Sequence, residues 1–321
     1  MLRRLIGFLL LAFASAKPVM ADADALVEAV NLGTAHEALY GLCIKGNRAI
    51  AAGQNGLVLE STDRGETWAE LDRFTDVAFL DVDCSDRTEL YVGQRGAFYR
   101  RSEGKFEPVQ SGTDARLMSV TQSSDGTLAA AVGAFGTILI SVDQGETWET
   151  LSIDWFAVLD DYVEPHLYDV HIREGGQITV IGEFSLVIQS NDAGLTWHTR
   201  HKGESSLFGL YLDATSTGYA VGQEGALLTT ADAGETWAAI PTPTNDILLN
   251  VTRSQTGAIL ATGIRKFIVS GDQGATWTEY DSPVLTTGWY QGLVLLPREE
   301  AARQEVLLAG HQANILKIEL K

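Results

Sequence analysis

The chain has 321 residues, of which 45% are hydrophobic and 20% are charged, and its formal net charge is −19 at pH 7. A charge of this sign repels the phosphates of nucleic acid and anionic lipid, so it argues against both as partners. Otherwise the charge serves solubility, and the length alone allows one large domain or two small ones.

The N-terminus has the three parts of a secretory signal peptide. Two arginines in the first four residues precede an apolar run, residues 5–14, that is too short to span a bilayer comfortably. Small residues at 14–16 or 19–21 offer cleavage sites. We therefore expect a signal peptide at 1–21 and a single domain at 22–321 in an exported, soluble protein.

An eight-residue pattern, S/T-x-D-x-G-x-T-W, occurs five times, for example from Ser141 to Trp148. The Asp can accept hydrogen bonds from nearby backbone N–H groups, the Gly can take the positive φ of a tight turn, and the Trp returns to apolar surroundings. We expect a structural hairpin turn in every copy. Its scaffold residues are Asp63, Trp68, Asp143, Trp148, Asp192, Trp197, Asp232, Trp237, Asp272 and Trp277.

A second periodic signal is a small-apolar strand that ends in Gly. It recurs seven times, 40 to 49 residues apart, at Gly53, Gly93, Gly133, Gly182, Gly222, Gly263 and Gly310. Within a unit, four short apolar segments alternate with Gly- or Asp-containing turns, which predicts an antiparallel meander. Seven such units predict an all-β, seven-bladed β-propeller of four-stranded blades. A β-solenoid is the main alternative.

The ends of the chain predict how the propeller closes. The last unit supplies three strands, and the segment from Leu26 to Leu32 is a spare strand that can complete it and remove an open sheet edge. Two places depart from the repeat. Residues 100–106 replace the Asp turn of the second unit, with Phe106 at the Trp position, and residues 152–166 lengthen the connection after the third unit.

The Asp turn is the Asp-box, or BNR, repeat. The run A-V-G-x-x-G-x-I-L-x-S-x-D-x-G-E-T-W at residues 131–148 resembles the photosystem II stability and assembly factor family, and residues 220–225 with 232–237 repeat the likeness. The resemblance implies a non-enzymatic propeller of the thylakoid lumen or periplasm, monomeric, without cofactor, and peripheral to the membrane at most. It further implies a protein partner, a membrane-protein subunit, with a role beside envelope transporters in hosts without photosynthesis.

Strand alternation places the second turn of each unit and the connections between units on one face, opposite the Asp-boxes. We expect the partner to bind this face. The expected residues in the second turns are Gln54, Asn55, Gln94, Arg95, Phe135, Glu183, Phe184, Gln223, Glu224, Arg265, Lys266 and His311. Trp155, Phe156 and Trp289 lie in connections on the same face, where aromatic residues suit protein docking; the alternative is that both tryptophans cap the core.

Small or short polar residues recur where the innermost strands converge: Gly41, Asp81, Ser119, Asp169, Gly209, Asn250 and Gly292. Two of them, Asp81 and Asp169, could serve acid–base chemistry, but lining of a hydrated channel explains them better. Two alternative functions stay open, a purely structural envelope protein and a carbohydrate-active hydrolase of the sialidase or glycosidase type. A sialidase needs an arginine cluster, whereas Arg95, Arg253 and Arg265 are scattered. The acidic group of Asp160, Asp161 and Glu164 is interpreted as a solvated loop.

The remaining candidates are the two cysteines and a pair of histidines. Cys43 and Cys84 lie near matching points of adjacent first strands, so in an exported protein they form a disulfide or remain as two buried thiols. His198 and His201 follow an Asp-box, and we expect no metal there.

Overall fold

The computed structural model describes residues 20–22, 27–71, 73–297 and 303–320. Its strands, grouped in chain order, are two N-terminal strands, β1 (Met20–Asp22) and β2 (Val27–Asn31), followed by seven units. The first three units, blades 1 to 3, are β3 (Leu39–Lys45), β4 (Arg48–Gly53), β5 (Val58–Ser61), β6 (Ala69–Glu70); β7 (Phe79–Cys84), β8 (Thr88–Gly93), β9 (Phe98–Ser102), β10 (Lys105–Pro108); and β11 (Leu117–Gln122), β12 (Ala129–Gly133), β13 (Ile138–Ser141), β14 (Glu149–Thr150).

Blades 4 to 7 follow the same plan. Their strands are β15 (Leu167–Ile172), β16 (Ile178–Gly182), β17 (Val187–Ser190), β18 (His198–His201); β19 (Leu207–Leu212), β20 (Gly218–Gly222), β21 (Leu227–Thr230), β22 (Ala238–Ala239); β23 (Leu248–Arg253), β24 (Ile259–Gly263), β25 (Lys266–Ser270), β26 (Trp277–Glu279); and β27 (Tyr290–Leu295), β28 (Glu305–Gly310), β29 (Ile315–Glu319). Two short helices, α1 (Trp155–Leu159) and α2 (Pro283–Thr287), lie in connections between blades.

Each blade is an antiparallel meander whose strands pair in sequence order. The first strands of neighbouring blades pack against one another, as β3 does with β7 and β7 with β11, so they form the inner ring of the propeller. The predicted seven-bladed, four-stranded β-propeller is confirmed, and the solenoid alternative is wrong. Among the described residues, no helix is long and apolar enough to cross a membrane.

The N-terminal strand closes the ring as predicted. Strand β2 pairs antiparallel with β29, from Val27 opposite Ile318 to Asn31 opposite Ile315, and supplies the outer strand of blade 7. The Asn31 side chain donates a further hydrogen bond to the Ala313 carbonyl at 2.8 Å. Pairing of the first and last segments of the described chain makes closure cooperative, because neither can leave without exposing a sheet edge.

Strand β1 was not predicted. It pairs in parallel with β26 and extends blade 6 to five strands, with Met20 opposite Trp277. The signal peptide predicted at 1–21 lies outside the described residues except for Met20 and Ala21. The predicted boundary between signal peptide and domain therefore stays a prediction.

The Asp-box closes on itself through its own side chains. Asp143 accepts hydrogen bonds from the Thr147 hydroxyl at 2.5 Å and the Thr147 N–H at 2.9 Å, and from Ser141 Oγ at 2.7 Å. These bonds, that of the Thr147 hydroxyl first, lower the pKa of Asp143 to about 2. Trp148 donates its Nε1–H to the Gly145 carbonyl at 3.2 Å and packs on Phe98 of the preceding blade, 4.5 Å between ring centroids.

Four of the five boxes share this tryptophan hydrogen bond, and the last does not. Trp277 is fully buried, and its Nε1 has no acceptor among the residues that the structure describes. The reason lies in the strand boundary: Trp277 already belongs to β26, whereas the other four tryptophans precede the outer strand of their blade. Its indole therefore turns into the core rather than lying along the turn.

Backbone hydrogen bonds fix which turns share a face. The second turn of blade 3 bonds the following interblade connection, Gly136 N–H to Pro165 carbonyl at 2.8 Å, and Gly225 bonds Asp246 likewise at 2.9 Å. The Asp-boxes instead form backbone hydrogen bonds with the first turns. In blade 5, for example, the Ala233 N–H donates to the Ser216 carbonyl at 2.9 Å. We call the former side the connection face, made of the interblade connections and the second turns at 54–57, 94–97, 134–137, 183–186, 223–226, 264–265 and 311–314. The opposite side is the Asp-box face.

Blade 2 lacks an Asp-box and is tied to blade 1 by other means. Cys43 and Cys84 form a disulfide, with 5.8 Å between their Cα atoms, which decides between the two alternatives left open by the sequence. The buried carboxylate of Glu89 is shared by Arg48 of blade 1 and Arg101 of blade 2. Phe106, at the position of the missing tryptophan, packs against Tyr91 with the rings tilted and their centroids 5.3 Å apart.

Candidate docking face

Each second turn holds a non-glycine residue at its second position in the left-handed region of the backbone, and the turns of blades 4 and 7 hold a further one, Ser185 and Ala313. The second-position residues have φ between 53° and 62°: Asn55, Arg95, Phe135, Phe184, Glu224, Arg265 and Gln312. A positive φ in a non-glycine residue is uncommon and is retained only where the surrounding structure holds it. Here the hydrogen bonds between turn and connection hold it, and the side chains at the turn tips project away from the blades.

The structure places the predicted docking residues on the connection face, with Lys266 at the adjoining end of strand β25, but in three different environments. The exposed ones are Asn55, Gln94, Arg95, Phe135, Phe156, Phe184, Glu224 and Arg265. The half-buried ones are Gln54, Glu183, Gln223, Lys266, Trp289 and His311. One, Trp155, is buried.

Three of the half-buried side chains are already engaged within the fold. Glu183 accepts the His166 N–H at 2.8 Å, and Gln223 accepts the Ser206 N–H at 3.1 Å. Lys266 forms ion pairs with Asp246 and Glu279. These side chains shape the turns, and the exposed tips offer more to a partner.

The two connection tryptophans behave differently. Trp155 is 8% exposed and caps the core under the second turn of blade 3, where a Cβ added at Gly136 would lie 2.3 Å from the indole nitrogen. The core-capping alternative therefore describes Trp155, and its expected place on the docking surface is corrected. Trp289 stays half-buried at the face, stacked on Tyr40 at 5.5 Å and beside His311 at 6.3 Å.

The long connection between blades 3 and 4 brings aromatic residues together. Helix α1 begins at the cap Asp154, whose carboxylate accepts the Ala157 N–H at 3.2 Å. Its Phe156 packs against Tyr162 with the rings tilted, 4.7 Å between centroids. Further along, the His166 ring contacts Phe135 at 5.1 Å and accepts the Phe135 N–H through Nδ1 at 3.1 Å.

The sequence analysis missed an apolar ring at the centre of this face. The residue just before each converging small or polar position lines the mouth of the central channel: Tyr40, Leu80, Met118, Tyr168, Phe208, Leu249 and Gln291. Tyr168 and Phe208 contact edge to face at 4.9 Å. A signal existed in the sequence, since six of these seven residues are large and apolar or aromatic at one fixed position of the repeat.

Below the mouth, the converging residues link successive blades. The Asp81 carboxylate accepts the Val120 N–H of the next blade at 3.0 Å, and Asp169 accepts both Ser119 Oγ and the Leu210 N–H at 2.8 Å. Burial raises the pKa of Asp81 to about 8, with the Asp169 charge adding to it, and burial raises the pKa of Asp169 to about 6. Because the two carboxyl groups serve interblade hydrogen bonds, this geometry supports the channel-lining interpretation rather than acid–base catalysis.

Fold and face together define a class of protein: an Asp-box β-propeller whose irregular connection face carries exposed aromatic and arginine side chains. The sequence pattern of one family, described as photosynthesis system II assembly factor YCF48, matches residues 99–284. This span is more than half of the chain, and the chain therefore belongs to that family.

Solved structures agree on the fold. One, described as YCF48 bound to D1 peptide, has a TM-score of 0.71 at 14% identity and covers 95% of this chain and 100% of its own. Another, YCF48 from Cyanidioschyzon merolae, has a TM-score of 0.71 at 17% identity and covers 91% of this chain and 98% of its own. At such identities the likeness shows the fold alone. A comparison with curated protein sequences finds no significant match.

Proposed function

We propose that this protein is an exported, non-enzymatic assembly factor that docks a subunit of a membrane protein complex on its connection face. Family membership supports an assembly role, and one solved relative is described as bound to a D1 peptide. The complex is of the photosystem II type in a photosynthetic host, where the site of action is the thylakoid lumen. In a non-photosynthetic host it is an envelope transporter, met in the periplasm.

The observation that carries the proposal is the contrast between the two faces. The Asp-box face is built of self-satisfied turns, in which each Asp accepts hydrogen bonds from the Ser or Thr residues of its own box. The connection face has an apolar mouth at the axis and aromatic side chains at two turn tips, with Phe135 65% and Phe184 41% exposed. Exposed aromatics and arginines around a partly buried apolar centre are typical of protein interfaces.

The test is affinity capture of a membrane subunit from the native envelope by the tagged, full-length protein. We expect Arg95→Glu and Trp289→Ala to reduce capture by about tenfold, as loss of interface hot spots does. Val142→Asp, which changes an exposed residue on the Asp-box face, is the matched control and should capture as the wild type does. Loss of capture in the control alone would contradict the proposed function.

A further inference from the structure

We infer that the connection between blades 3 and 4 is the part of the connection face that selects the partner, and that it takes a segment combining apolar and basic side chains. The inference rests on the proposed function and names the chemistry of the partner. Its surface, called here the acidic aromatic patch, consists of Phe135, Phe156, Asp160, Asp161, Tyr162, Val163, Glu164 and Phe184.

Exposure singles out this patch. Five of the ten large apolar side chains that are exposed among the described residues belong to it: Phe135 (65%), Phe156 (44%), Tyr162 (85%), Val163 (39%) and Phe184 (41%). Monomeric proteins rarely gather exposed large apolar residues in one region, and such a region marks an interaction site. The other five are spread over the rest of the described fold.

The patch is built on a supported connection rather than on a free loop. Helix α1 is anchored by buried Trp155 and Val158, and the Val158 carbonyl accepts the Thr199 hydroxyl at 3.2 Å. At the inner end, His166 donates its N–H to Glu183 and contacts Phe135, which ties the connection to two neighbouring second turns. Aromatic contacts continue inward from His166 to Tyr168 at 6.5 Å and so reach the axial mouth.

The charged residues around the aromatic side chains indicate which kind of partner segment would bind there. Asp160, Asp161 and Glu164 are exposed beside Phe156 and Tyr162, and none of the three forms an ion pair within the described part of the chain. Residues 152–166 contain no Lys or Arg. One basic group that approaches is Lys202, whose Nζ lies 3.5 Å from the Leu159 carbonyl.

An apolar surface edged by unpaired carboxylates favours a ligand whose apolar side chains are flanked by Lys or Arg, and it repels an acidic one. The same charges disfavour an anionic lipid surface, so the occupant is a polypeptide segment. The acidic group, interpreted from the sequence as a solvated loop, thereby acquires a role in selecting the partner.

The first arm of the test measures binding of a fluorescein-labelled peptide that alternates Leu with Lys, against a counterpart with every Lys replaced by Glu. Fluorescence anisotropy gives the two dissociation constants for the full-length protein. The triple variant Asp160→Asn, Asp161→Asn, Glu164→Gln should weaken binding of the Lys peptide about fivefold to tenfold, the range of a few exposed charge pairs. Phe156→Ser with Tyr162→Ser should weaken it about tenfold or more.

Matched controls separate the patch from the general acidity of the protein. Glu146→Gln, Glu149→Gln, Glu174→Gln removes three exposed carboxylates at or beside the Asp-box face and changes the net charge equally. Val142→Ser with Leu195→Ser removes two exposed apolar side chains there. Each control should change the dissociation constant less than twofold. Equal loss in the controls, or equal binding of the Glu peptide, would overturn the inference.

The second arm applies the triple variant to capture from the native envelope. Loss of the captured subunit supports the inference. A subunit still captured by the triple variant, yet lost with Arg95→Glu, contradicts the inference and leaves the proposed function standing. If Val142→Asp alone abolishes capture, the result contradicts both the inference and the proposed function.

Discussion

Ser119 Oγ in blade 3 donates a hydrogen bond to Asp169 Oδ1 in blade 4 at 2.8 Å, directly beside the propeller axis. The same position in other blades makes the same kind of link: Asp81 accepts the Val120 N–H, and Asn250 donates to the Gln291 carbonyl. Where the position is glycine, the strands touch instead. Side-chain bridges and glycine contacts together form one belt around the inner ring, which we call the axial belt: Gly41, Asp81, Ser119, Asp169, Gly209, Asn250 and Gly292.

Removing the carboxylate at the centre of the axial belt should destabilise the fold. Asp169→Ala leaves Ser119 Oγ and the N–H groups of Val170 and Leu210 without their acceptor. Buried unsatisfied donors cost about 1 to 3 kcal/mol each, so with three donors we expect a loss of roughly 3 kcal/mol or more in the free energy of unfolding. Chemical denaturation measures it. Exposed Asp114→Ala is the control, and a variant as stable as this control would show that the belt does not hold the blades.

Substitution of a glycine in the axial belt should also destabilise the fold. A Cβ at Gly209 would lie 2.6 Å from Asn250 Cα and 2.7 Å from the Leu249 carbonyl oxygen, so the backbone of blade 6 would have to move. We expect Gly209→Ala to lower stability by about 1 to 3 kcal/mol, the usual cost of overpacking. Gly271→Ala, with no atom within 4 Å of the added Cβ, should be close to neutral. Thermal unfolding of both variants decides, and equal melting temperatures would refute the close contact.

Asp81 should make stability fall with rising pH up to about pH 8. Its pKa of about 8 exceeds the value near 4 of an unfolded Asp, so the folded protein holds the proton more tightly and stability falls as pH rises through 8. Below about pH 6.5, Asp169 and His171, whose pKa burial lowers to about 4, act in opposite directions. The clean window is therefore pH 6.5 to 8, where we expect a loss of roughly 1 to 2 kcal/mol.

Asp81→Asn provides the matched variant, because Asn250 occupies the same position in blade 6. It should flatten the stability profile between pH 6.5 and 8, whereas Asp114→Asn should leave the slope intact. Urea midpoints across this range supply the measurement. An unchanged slope in Asp81→Asn would assign the pH dependence to other groups.

Strand β2 should act as the closing strand of the ring. A chain that starts at residue 34 loses the pairing of β2 with β29 and the Asn31 side-chain bond to Ala313. We expect its melting temperature to fall by about 10 °C or more relative to a chain that starts at residue 22, since several kcal/mol of strand pairing and packing are lost. Coincident melting curves for the two chains would contradict closure by this strand.

Much of this architecture can be predicted from the sequence because the same local interactions recur in each unit. Every Asp-box carries its own hydrogen-bond partners, so Asp143 and Thr147 predict their turn without knowledge of distant residues. The strand Val27–Asn31 was predictable because the last blade supplies only three strands from its own unit. Trp277 returns to apolar surroundings as predicted, but its full burial could not be predicted because it depends on where β26 begins, and β26 also pairs with β1.

The candidate site was harder to predict because it depends on contacts between units. Whether Trp155 faces the partner or the core is decided by Gly136, from the preceding blade, against which its indole packs. The mouth formed by Tyr40, Tyr168 and its counterparts appears only when the first strands converge on one axis. The large residues that recur at one position of the repeat indicate this mouth, but only once the alignment of the seven units with one another is known.

The most direct test of the account is site-specific photocrosslinking in the native envelope. A photoreactive amino acid is placed at Phe135 or Tyr162 on the connection face and, as matched exposed positions, at Val142 or Leu195 on the Asp-box face. We predict that the first pair forms crosslinks to a membrane subunit, at a segment carrying apolar and basic residues, and that the second pair does not. Crosslinking of that subunit from Val142 or Leu195, with none from Phe135 or Tyr162, would contradict the central claim.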